Sequence, residues 1–270
     1  MDIDRCARVI LSGAGRETGH LVDDPVRMAA AIVGRDAVVP AAHALADDWV
    51  SSGGTIISAD DPTWPEGLVS LGGAQPLLLW VRGSLPGARC EMVSVVGSRE
   101  CTAYGRDVAA VLARQACASG LTVVSGGALG IDSHAHTGAL EAGGKTVLVA
   151  AGGAGRVYPS PHEKLFREAA AAGAVIWEHP PGTRLTQRGF LHRNRLIAAL
   201  SGVTVLVEAA ERSGALNTGR TAADLGRLVL GVPGRIDSPA SSGIHRAIAD
   251  GWAAILLGAN DLSQFLASAA

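Results

Sequence analysis

The stretch Val93-Ser94-Val95-Val96-Gly97-Ser98-Arg99 opens the part of the chain that decides the fold. Its apolar run predicts a strand, the pattern over Tyr104–Ala118 predicts a helix, and the apolar run over Leu121–Val124 predicts a second strand. Neighbouring parallel strands need a crossover of about this length, so the three elements form a parallel unit. The second strand leads into Ser125-Gly126, and the loop remains rich in glycine as far as Gly130.

Both loops of this unit follow the carboxyl ends of predicted strands, where open parallel sheets bind their ligands. Glycine leaves backbone N–H groups accessible, and N–H groups near the start of a helix favour an anion such as phosphate. Arg99 adds a guanidinium group, which binds phosphate in a bidentate manner. The two loops therefore predict a ligand that carries phosphate.

Strands and helices continue to alternate through the rest of the core. Further strands are predicted at Leu77–Val81, Thr146–Ala150, Ala174–Glu178, Val203–Val207 and Leu228–Val232. Further helices are predicted at Asp132–Ala142, His162–Ala172, Gly189–Leu200, Ser213–Leu225 and Ile244–Asp250. Such alternation predicts an α/β fold with a mostly parallel sheet and helices on both faces.

Sequence patterns divide the chain into three segments. Residues 1–75 contain short helical patterns, at Asp4–Leu11, Pro25–Val33 and Val39–Ser51, followed by a loop rich in Asp and Pro. We expect this segment to form a small helical appendage and a linker. Residues 76–257 form the predicted core, and residues 258–270 a short C-terminal tail.

Composition limits the classes of protein. No apolar run reaches the roughly 18 residues of a membrane span, and the N-terminus lacks the pattern of a signal peptide, so we expect a cytoplasmic protein. The cysteines show no C-x-x-C pair, which favours free thiols over a disulfide or a zinc site; they are Cys6, Cys90, Cys101 and Cys117. We expect neither a metal nor a cofactor.

The net charge of −2 argues against a protein coated in positive charge, but the charge is unevenly distributed. Residues 181–235 hold eight basic and three acidic residues, and Lys145 and Lys164 are the only lysines among the 23 basic residues of the chain. Guanidinium groups bind phosphate and stack on bases, which favours a nucleic-acid ligand. Coding bias towards arginine is the alternative explanation.

Polar residues near the strand ends form no recognisable catalytic arrangement. None of them lies in a nucleophile elbow, a carboxylate pair or a metal signature; the candidates are Ser98, Ser125, Asp132, Glu178, Glu208 and Ser213. His136 shares a face of its predicted helix with Asp132, and we expect a hydrogen bond between the two side chains. We therefore assign no catalytic residue.

The same region supplies groups that bind phosphate or DNA. They are Gly97, Ser98, Arg99, Ser125, Gly126, Lys164, Arg193, Asn194, Arg195, Ser213, Gly214 and Thr218. Successive residues of a helix point about 100° apart, so Arg193 and Arg195 leave their helix in different directions. We expect one of the two to face the ligand and the other to pack against acidic neighbours.

Six groups of short motifs follow one another along residues 76–257. They are Gly97-Ser98-Arg99 with Tyr104-Gly105, Ser125-Gly126 with Gly130-Ile131-Asp132 and Ala135-His136, Tyr158-Pro159, Phe190 with Arg193-Asn194-Arg195, Glu208 with Ser213-Gly214 and Thr218, and Val232-Pro233-Gly234. In order and approximate spacing, this set resembles the DNA processing protein A (DprA/Smf) family. The resemblance implies an extended Rossmann-like core, single-stranded DNA binding without known catalysis, homodimers, and delivery of the recombinase RecA to incoming strands in natural transformation.

The chain departs from the pattern of that family in the binding loops and at its C-terminus. Leu129 stands where the family usually has arginine, Gly127 replaces a larger apolar residue, and Leu191 replaces a proline. The winged-helix-like domain of many members is missing, so either this lineage lacks it or the chain is a fragment. These departures concern individual DNA contacts and leave the expected architecture unchanged.

A nucleotide-processing enzyme is the alternative function, since phosphoribohydrolases have a related fold. Those enzymes carry a Pro-Gly-Gly-x-Gly-Thr-x-x-Glu run, and Gly152-Gly153-Ala154-Gly155 lacks its proline, threonine and glutamate. The sequence therefore favours the DNA-binding function.

The expected homodimer needs an apolar surface. Apolar residues cluster near the C-terminus, where they serve either a dimer interface or packing on the sheet; they are Ile244, Ile248, Trp252, Ile255 and Leu256.

Overall fold

The computed structural model describes residues 3–13, 29, 36, 38–86, 91–259 and 261–262. The strands are β1 Thr55–Ser58, β2 Leu78–Gly83, β3 Met92–Val96, β4 Thr122–Ser125, β5 Thr146–Val149, β6 Ala174–Trp177, β7 Val203–Leu206, β8 Leu228–Gly231 and β9 Ala254–Ile255. The α-helices are α1 Ile3–Gly13, α2 Val38–Ser51, α3 Ala103–Ala118, α4 Ile131–Glu141, α5 Glu163–Ala172, α6 Gln187–Leu200, α7 Gly214–Asp224 and α8 Pro239–Ala249. Short 3₁₀ helices cover Glu66–Ala74 and Ser160–His162. The predicted helix at Pro25–Val33, apart from Ala29, and most of the predicted tail lie outside the described residues.

The nine strands of the described ranges form one sheet in the order β1-β2-β6-β5-β4-β3-β7-β8-β9. Every pair from β6 to β9 is parallel, whereas β1–β2 and β2–β6 are antiparallel. Strand β3 is central, with Val93 opposite Val123 of β4 on one side and Val203 of β7 on the other. The predicted α/β fold with a mostly parallel sheet is confirmed.

Helices cover both faces of the sheet because side chains along each strand point alternately to opposite faces. In β3, Val93 and Val95 pack in the apolar cluster of α3 and α4, whereas Met92 and Val96 pack in the cluster of α6. These four side chains are at most 3% exposed. Burial of each stabilises the fold by roughly 1.5–3 kcal/mol.

The N-terminal segment contains a strand that the sequence analysis did not predict. β1 pairs with β2, so residues 55–58 belong to the sheet and not to a linker. Helix α2 packs Trp49 edge-on against Trp80 and Trp177, at ring-centroid distances of 6.1 and 5.5 Å. Helices α1 and α2, both predicted, therefore cover the β2–β6 end of the sheet.

The order of the strands reverses next to β3. Strands β3 to β6 follow one another in one direction, and β7 returns to the other side of β3. The connections that leave β3 and β7 therefore diverge at the carboxyl ends of these strands, and open α/β sheets hold ligands in the crevice between such connections. The loops after Val96 and Leu206 border this crevice.

Candidate functional site

A cleft of about 880 Å³ opens at the carboxyl ends of β3 and β7. Its walls come from the loop after β3, the segments before α6 and α7 and the first turns of those helices, together with Ala128, Asp132 and Tyr158 from the loops and helix that follow β4 and β5. Eight of the twelve predicted site residues line it: Gly97, Ser98, Arg99, Arg193, Asn194, Ser213, Gly214 and Thr218. Residues from three separate parts of the chain thus converge on one site.

Glu208 holds the loop after β3 at both ends. Its carbonyl oxygen accepts a hydrogen bond from Ser98 N at 2.7 Å, and its carboxylate accepts from Thr102 N and Thr102 Oγ1 at 2.8 and 2.6 Å. Thr102 Oγ1 also accepts from Gly105 N and so caps α3. Because Glu208 is only 3% exposed, water does not compete for these bonds, and the loop that carries Arg99 is fixed in place.

The two glycine-rich loops meet at Gly130. This residue has a φ of +76°, and a Cβ there would lie 2.3 Å from the carbonyl oxygen of Ser98. Ile131 N donates a hydrogen bond to the same oxygen at 3.1 Å. Glycine alone fits both the left-handed conformation and the close approach, so Gly130 sets the distance between the loops.

An arginine and two aromatic rings form one wall of the cleft. The guanidinium carbon of Arg99 lies 4.6 Å from the centroid of the Phe190 ring, which lies 5.3 Å from the centroid of the Tyr158 ring. Arg99 is exposed and Tyr158 is 43% exposed, so both are accessible to a ligand. Aromatic rings stack on bases and guanidinium groups bind phosphate, a combination that suits a nucleotide chain.

The N-terminus of α7 faces the cleft from the opposite side. Ser213 caps the helix by accepting a hydrogen bond from Ala215 N at 3.2 Å, and Asn194 Nδ2 donates to the carbonyl oxygen of Gly214 at 3.1 Å. Arg212, directly before the cap, is exposed and lines the cleft. The N–H groups of the first helical turn and the Arg212 guanidinium together favour an anion here.

Arg193 reaches the cleft, but its Nη1 is occupied by the protein itself. Its Nη1 donates to the carbonyl oxygen of Gly126 at 2.7 Å and also to that of Val149. The residue is 6% exposed, and burial lowers the pKa of the guanidinium to about 10 despite the opposing effect of Asp132. Arg193 therefore fastens the second glycine-rich loop to the end of β5.

Ser125 and Gly126 lie behind the cleft and do not line it. Ser125 is fully buried, and its Oγ donates to the carbonyl oxygen of Val95 at 2.7 Å. The carboxylate of Asp132 accepts from Ala128 N at 3.4 Å, and burial raises the pKa of this side chain. An internal carboxylate thus meets Ala128 N of this loop, and Ser125 and Gly126 lie behind the lining of the cleft, so their contact with phosphate stays a prediction.

The predicted hydrogen bond between Asp132 and His136 is absent from the described residues. His136 Nδ1 instead pairs with Thr146 Oγ1 at 2.7 Å, and Thr146 Oγ1 donates to the carbonyl oxygen of Val123. Nδ1 therefore carries the proton, and burial lowers the pKa of His136 to about 3. The prediction was wrong because the helix face that the two residues share is also turned towards β5, which supplies Thr146.

Arg195 and Lys164 lie outside the cleft. Arg195 donates to both carboxylate oxygens of Glu178, at 2.8 and 2.5 Å. Burial by itself would raise the pKa of Glu178, but the hydrogen bonds from His192 and Arg195 outweigh it and lower the pKa to about 2. Lys164 is exposed and pairs with Glu168 at 3.6 Å. Arg195 is thus the arginine that packs against acidic neighbours.

The departures from the family pattern have visible consequences. Leu191 lines the cleft and is 48% exposed, and Leu129 is 50% exposed on the second loop. Both positions therefore present an exposed leucine side chain near the cleft. Gly127 has a φ of +69°, and a Cβ there would lie 2.9 Å from the side chain of Leu148. A larger residue at this position would strain the loop as it is built here.

The C-terminal apolar residues divide between core and surface. Ile244 and Leu256 are buried, and Ile248 and Trp252 pack partly buried against the core. Ile255 is 43% exposed on β9, at the edge of the sheet. Packing within the chain thus accounts for most of this cluster and leaves Ile255 available to a partner.

The described residues show free thiols and neither a metal site nor a helix that could span a membrane. Cys6, Cys101 and Cys117 are free thiols, and Cys90 lies outside the described ranges. No group of three His, Cys, Asp or Glu side chains within those ranges could hold a metal ion. In the same part of the chain, every helix is too short or too polar to cross a membrane.

Comparison with known proteins gives matches over most of the chain. Residues 55–267 match the family model described as DNA recombination-mediator protein A. The putative DNA processing protein DprA of Mycobacterium tuberculosis (strain H37Rv) is 42% identical over 229 residues, which cover 79% of this chain and 58% of the relative. The chain therefore spans less than two thirds of that relative's length.

Two solved structures share the fold. DNA processing protein A from Streptococcus pneumoniae superposes with a TM-score of 0.73 at 29% identity and covers 98% of this chain and 93% of its own. DNA processing protein A from Helicobacter pylori, whose structure concerns its single-stranded DNA binding mode, superposes with a TM-score of 0.70 at 25% identity, over 80% of this chain and 96% of its own. Because the family model spans the whole sheet from β1 to β9 together with every wall of the cleft, the chain belongs to the DNA recombination-mediator protein A (DprA/Smf) family.

Proposed function

We propose that this chain binds single-stranded DNA in the cleft between the carboxyl ends of β3 and β7. The observation that carries the proposal is the contact of the exposed Arg99 guanidinium with Phe190 and, through it, Tyr158, opposite Arg212 and the N-terminus of α7. Unpaired bases can stack on such rings, whereas the bases of a duplex are already stacked on one another. The Helicobacter pylori relative, studied for its single-stranded DNA binding mode, supports the same ligand.

The proposal includes a role without catalysis, in which the protein protects incoming single strands in the cytosol and helps to load the recombinase RecA during natural transformation. Three of the six catalytic candidates, Ser125, Glu178 and Glu208, do not line the cleft and are engaged in internal hydrogen bonds, which supports the absence of catalysis. Homodimerisation through the C-terminal region belongs to the same proposal, with the exposed Ile255 as a contact.

A titration of labelled single-stranded and duplex oligonucleotides of equal length tests the DNA ligand. We expect the single strand to bind more tightly, and equal affinities would refute the preference. Incubation with nucleoside monophosphates tests the absence of catalysis, because release of free base would identify a phosphoribohydrolase instead. Sedimentation velocity tests the dimer, and a monomer at tens of micromolar protein would contradict it.

A further inference from the structure

From the positions of three exposed arginines beside the cleft, we infer a second DNA-binding surface that receives the strand after it leaves the cleft. This surface, the basic shelf, consists of Arg156, Arg184 and Arg188, none of which lines the cleft itself. The inference rests on the proposed function, since its ligand is a longer piece of the same strand.

The shelf is built from two loops that are joined to each other. The loop after β5 and the loop after β6 form a parallel bridge between Gly153 and His179, and Gly153 N donates to the carbonyl oxygen of Thr183 at 3.2 Å. A Cβ added at Gly152 would lie 3.3 Å from Arg156 Cδ and 3.4 Å from Leu185 Cδ1, so both side chains lie over that glycine. Arg156 is thereby placed next to the segment that carries the other two arginines.

The same two loops form a wall of the cleft, so the shelf adjoins it. Tyr158 of the first loop, Leu185 and Thr186 of the second loop, and Gln187 at the start of α6 line the cleft. Arg184 precedes this run of lining residues and Arg188 follows it. A strand stacked on Tyr158 and Phe190 therefore leaves the cleft across the shelf.

The positive charge of the shelf is not compensated. Arg156, Arg184 and Arg188 are exposed and form no ion pair with any described residue. The sequence has no Asp or Glu over residues 142–162 or 179–207. Glu178, which lies between those ranges, is 15% exposed and paired with Arg195. A cluster of three free guanidinium groups in a chain of net charge −2 attracts a polyanion to this place.

The size of the cleft implies that a strand extends beyond it. Pockets of about 300–1,000 Å³ hold one drug-sized ligand, and this cleft of about 880 Å³ therefore accommodates only a few nucleotides, about the length of a tetramer. Phosphates further along the strand need another partner. The shelf supplies such partners, and about two or three phosphates fit its three arginines.

The test compares tetrathymidylate, which occupies the cleft, with dodecathymidylate, which also reaches the shelf. In the triple variant R156Q/R184Q/R188Q we expect the affinity for the tetramer to stay within about twofold, and the salt slope for the dodecamer to become shallower by about 1.4–2.1, at about 0.7 per lost phosphate. Near 0.1 M salt, the loss is about fivefold in affinity for each phosphate. The gain in affinity from tetramer to dodecamer should largely disappear.

The matched control is R114Q/K145Q/R246Q, which removes three exposed positive charges that lie towards the amino ends of the strands. We expect it to keep the length dependence of the wild type. Equal effects of the two triple variants, or a wild-type affinity that does not increase with length, would refute the shelf while leaving the cleft intact. Failure of the wild type to bind either oligonucleotide would refute the proposed function, and with it the shelf.

Discussion

Substitution of Arg99 by alanine should impair DNA binding without unfolding the protein. Arg99 is exposed, and its recorded contact within the described residues is the stacking on Phe190 at 4.6 Å, which at an exposed site is worth about 0.5–1 kcal/mol. The free energy of unfolding should therefore fall by no more than about 1 kcal/mol. A charge-assisted contact to phosphate is worth roughly 1.5–3 kcal/mol, so the affinity for DNA should fall by about 10- to 150-fold.

The salt dependence of DNA affinity distinguishes the loss of one phosphate contact from a general weakening of DNA binding. Arg99, Arg212 and the N-terminus of α7 neutralise about two or three phosphates of tetrathymidylate, which predicts a log–log slope of about −1.4 to −2.1 for the wild type. Arg99→Ala should make this slope shallower by about 0.7. Fluorescence anisotropy over a tenfold range of salt measures the slope, and urea denaturation measures the stability of the same samples.

Arg195→Ala is the matched control. Arg195 follows Leu191, which lines the cleft, by four residues of the same helix, but Arg195 itself does not line the cleft. The substitution leaves Glu178 as a buried, partly unpaired charge, which costs roughly 3–5 kcal/mol of stability. The salt slope should stay that of the wild type as long as the variant is folded. An unchanged slope in Arg99→Ala, or a loss of stability in Arg99→Ala as large as in Arg195→Ala, would refute this assignment of roles.

Three further substitutions test the supports of the site. Because the folded pKa of Glu178 is about 2 against 4.5 for the free group, its ionised form stabilises the fold above pH 4.5 and loses this effect as the pH falls towards 2. Glu178→Gln should therefore cost about 3 kcal/mol at pH 7 and clearly less at pH 3, measured by urea denaturation at each pH. Glu208→Gln places an amide N–H donor opposite the N–H and O–H donors of Thr102 and should cost about 1–3 kcal/mol of stability in the same assay. The loop after β3 should then shift, and the affinity for DNA should fall as well. Gly130→Ala should lower both stability and DNA affinity. The control Gly226→Ala, at a φ of +70° with open space around it, should cost only the backbone strain of about 1–2 kcal/mol. Equal losses of stability in the two variants would contradict the close approach of the loops.

Much of the fold could be predicted because buried parallel strands form short apolar runs that are separated by helices. The core strands begin and end within one or two residues of the predicted positions. β1 was missed since a strand of four residues beside a loop rich in Asp and Pro gives a weak local pattern, and its partner β2 lies twenty residues further along the chain. Helix α8 begins at Pro239, ahead of the predicted Ile244, because the Ser and Gly residues of its first turns conceal the apolar period.

The site was predicted less completely because it depends on how distant segments meet. Residues in local glycine-rich turns, such as Ser98 and Gly214, could be assigned from their position after strands. The pairing of Phe190 with Tyr158 joins the first turn of α6 to a loop 32 residues earlier in the sequence, so no local pattern assigns these rings to the cleft. For Arg193 and Arg195, the helical period predicts that they diverge, but only the position of α6 on the sheet decides which of them meets Glu178.

The interactions of the eight arginines in residues 181–235 explain how a chain of net charge −2 can still attract DNA to the cleft. Five of them are occupied within the protein: Arg193 by backbone carbonyls, Arg195 by Glu178, Arg220 by Asp224, Arg227 by backbone carbonyls and Ser70, and Arg235 by Asp237. The other three are exposed beside the cleft: Arg184 and Arg212 lie in loops that border it, and Arg188 lies in the first turn of α6. Among these eight, Arg193, Arg195 and Arg227 join segments of the fold, whereas the three exposed arginines without an ion pair to a described residue lie beside the cleft. The electrostatic attraction is therefore local, which is why we expect a shallow salt slope for a short strand and a steeper one only when the strand reaches the basic shelf.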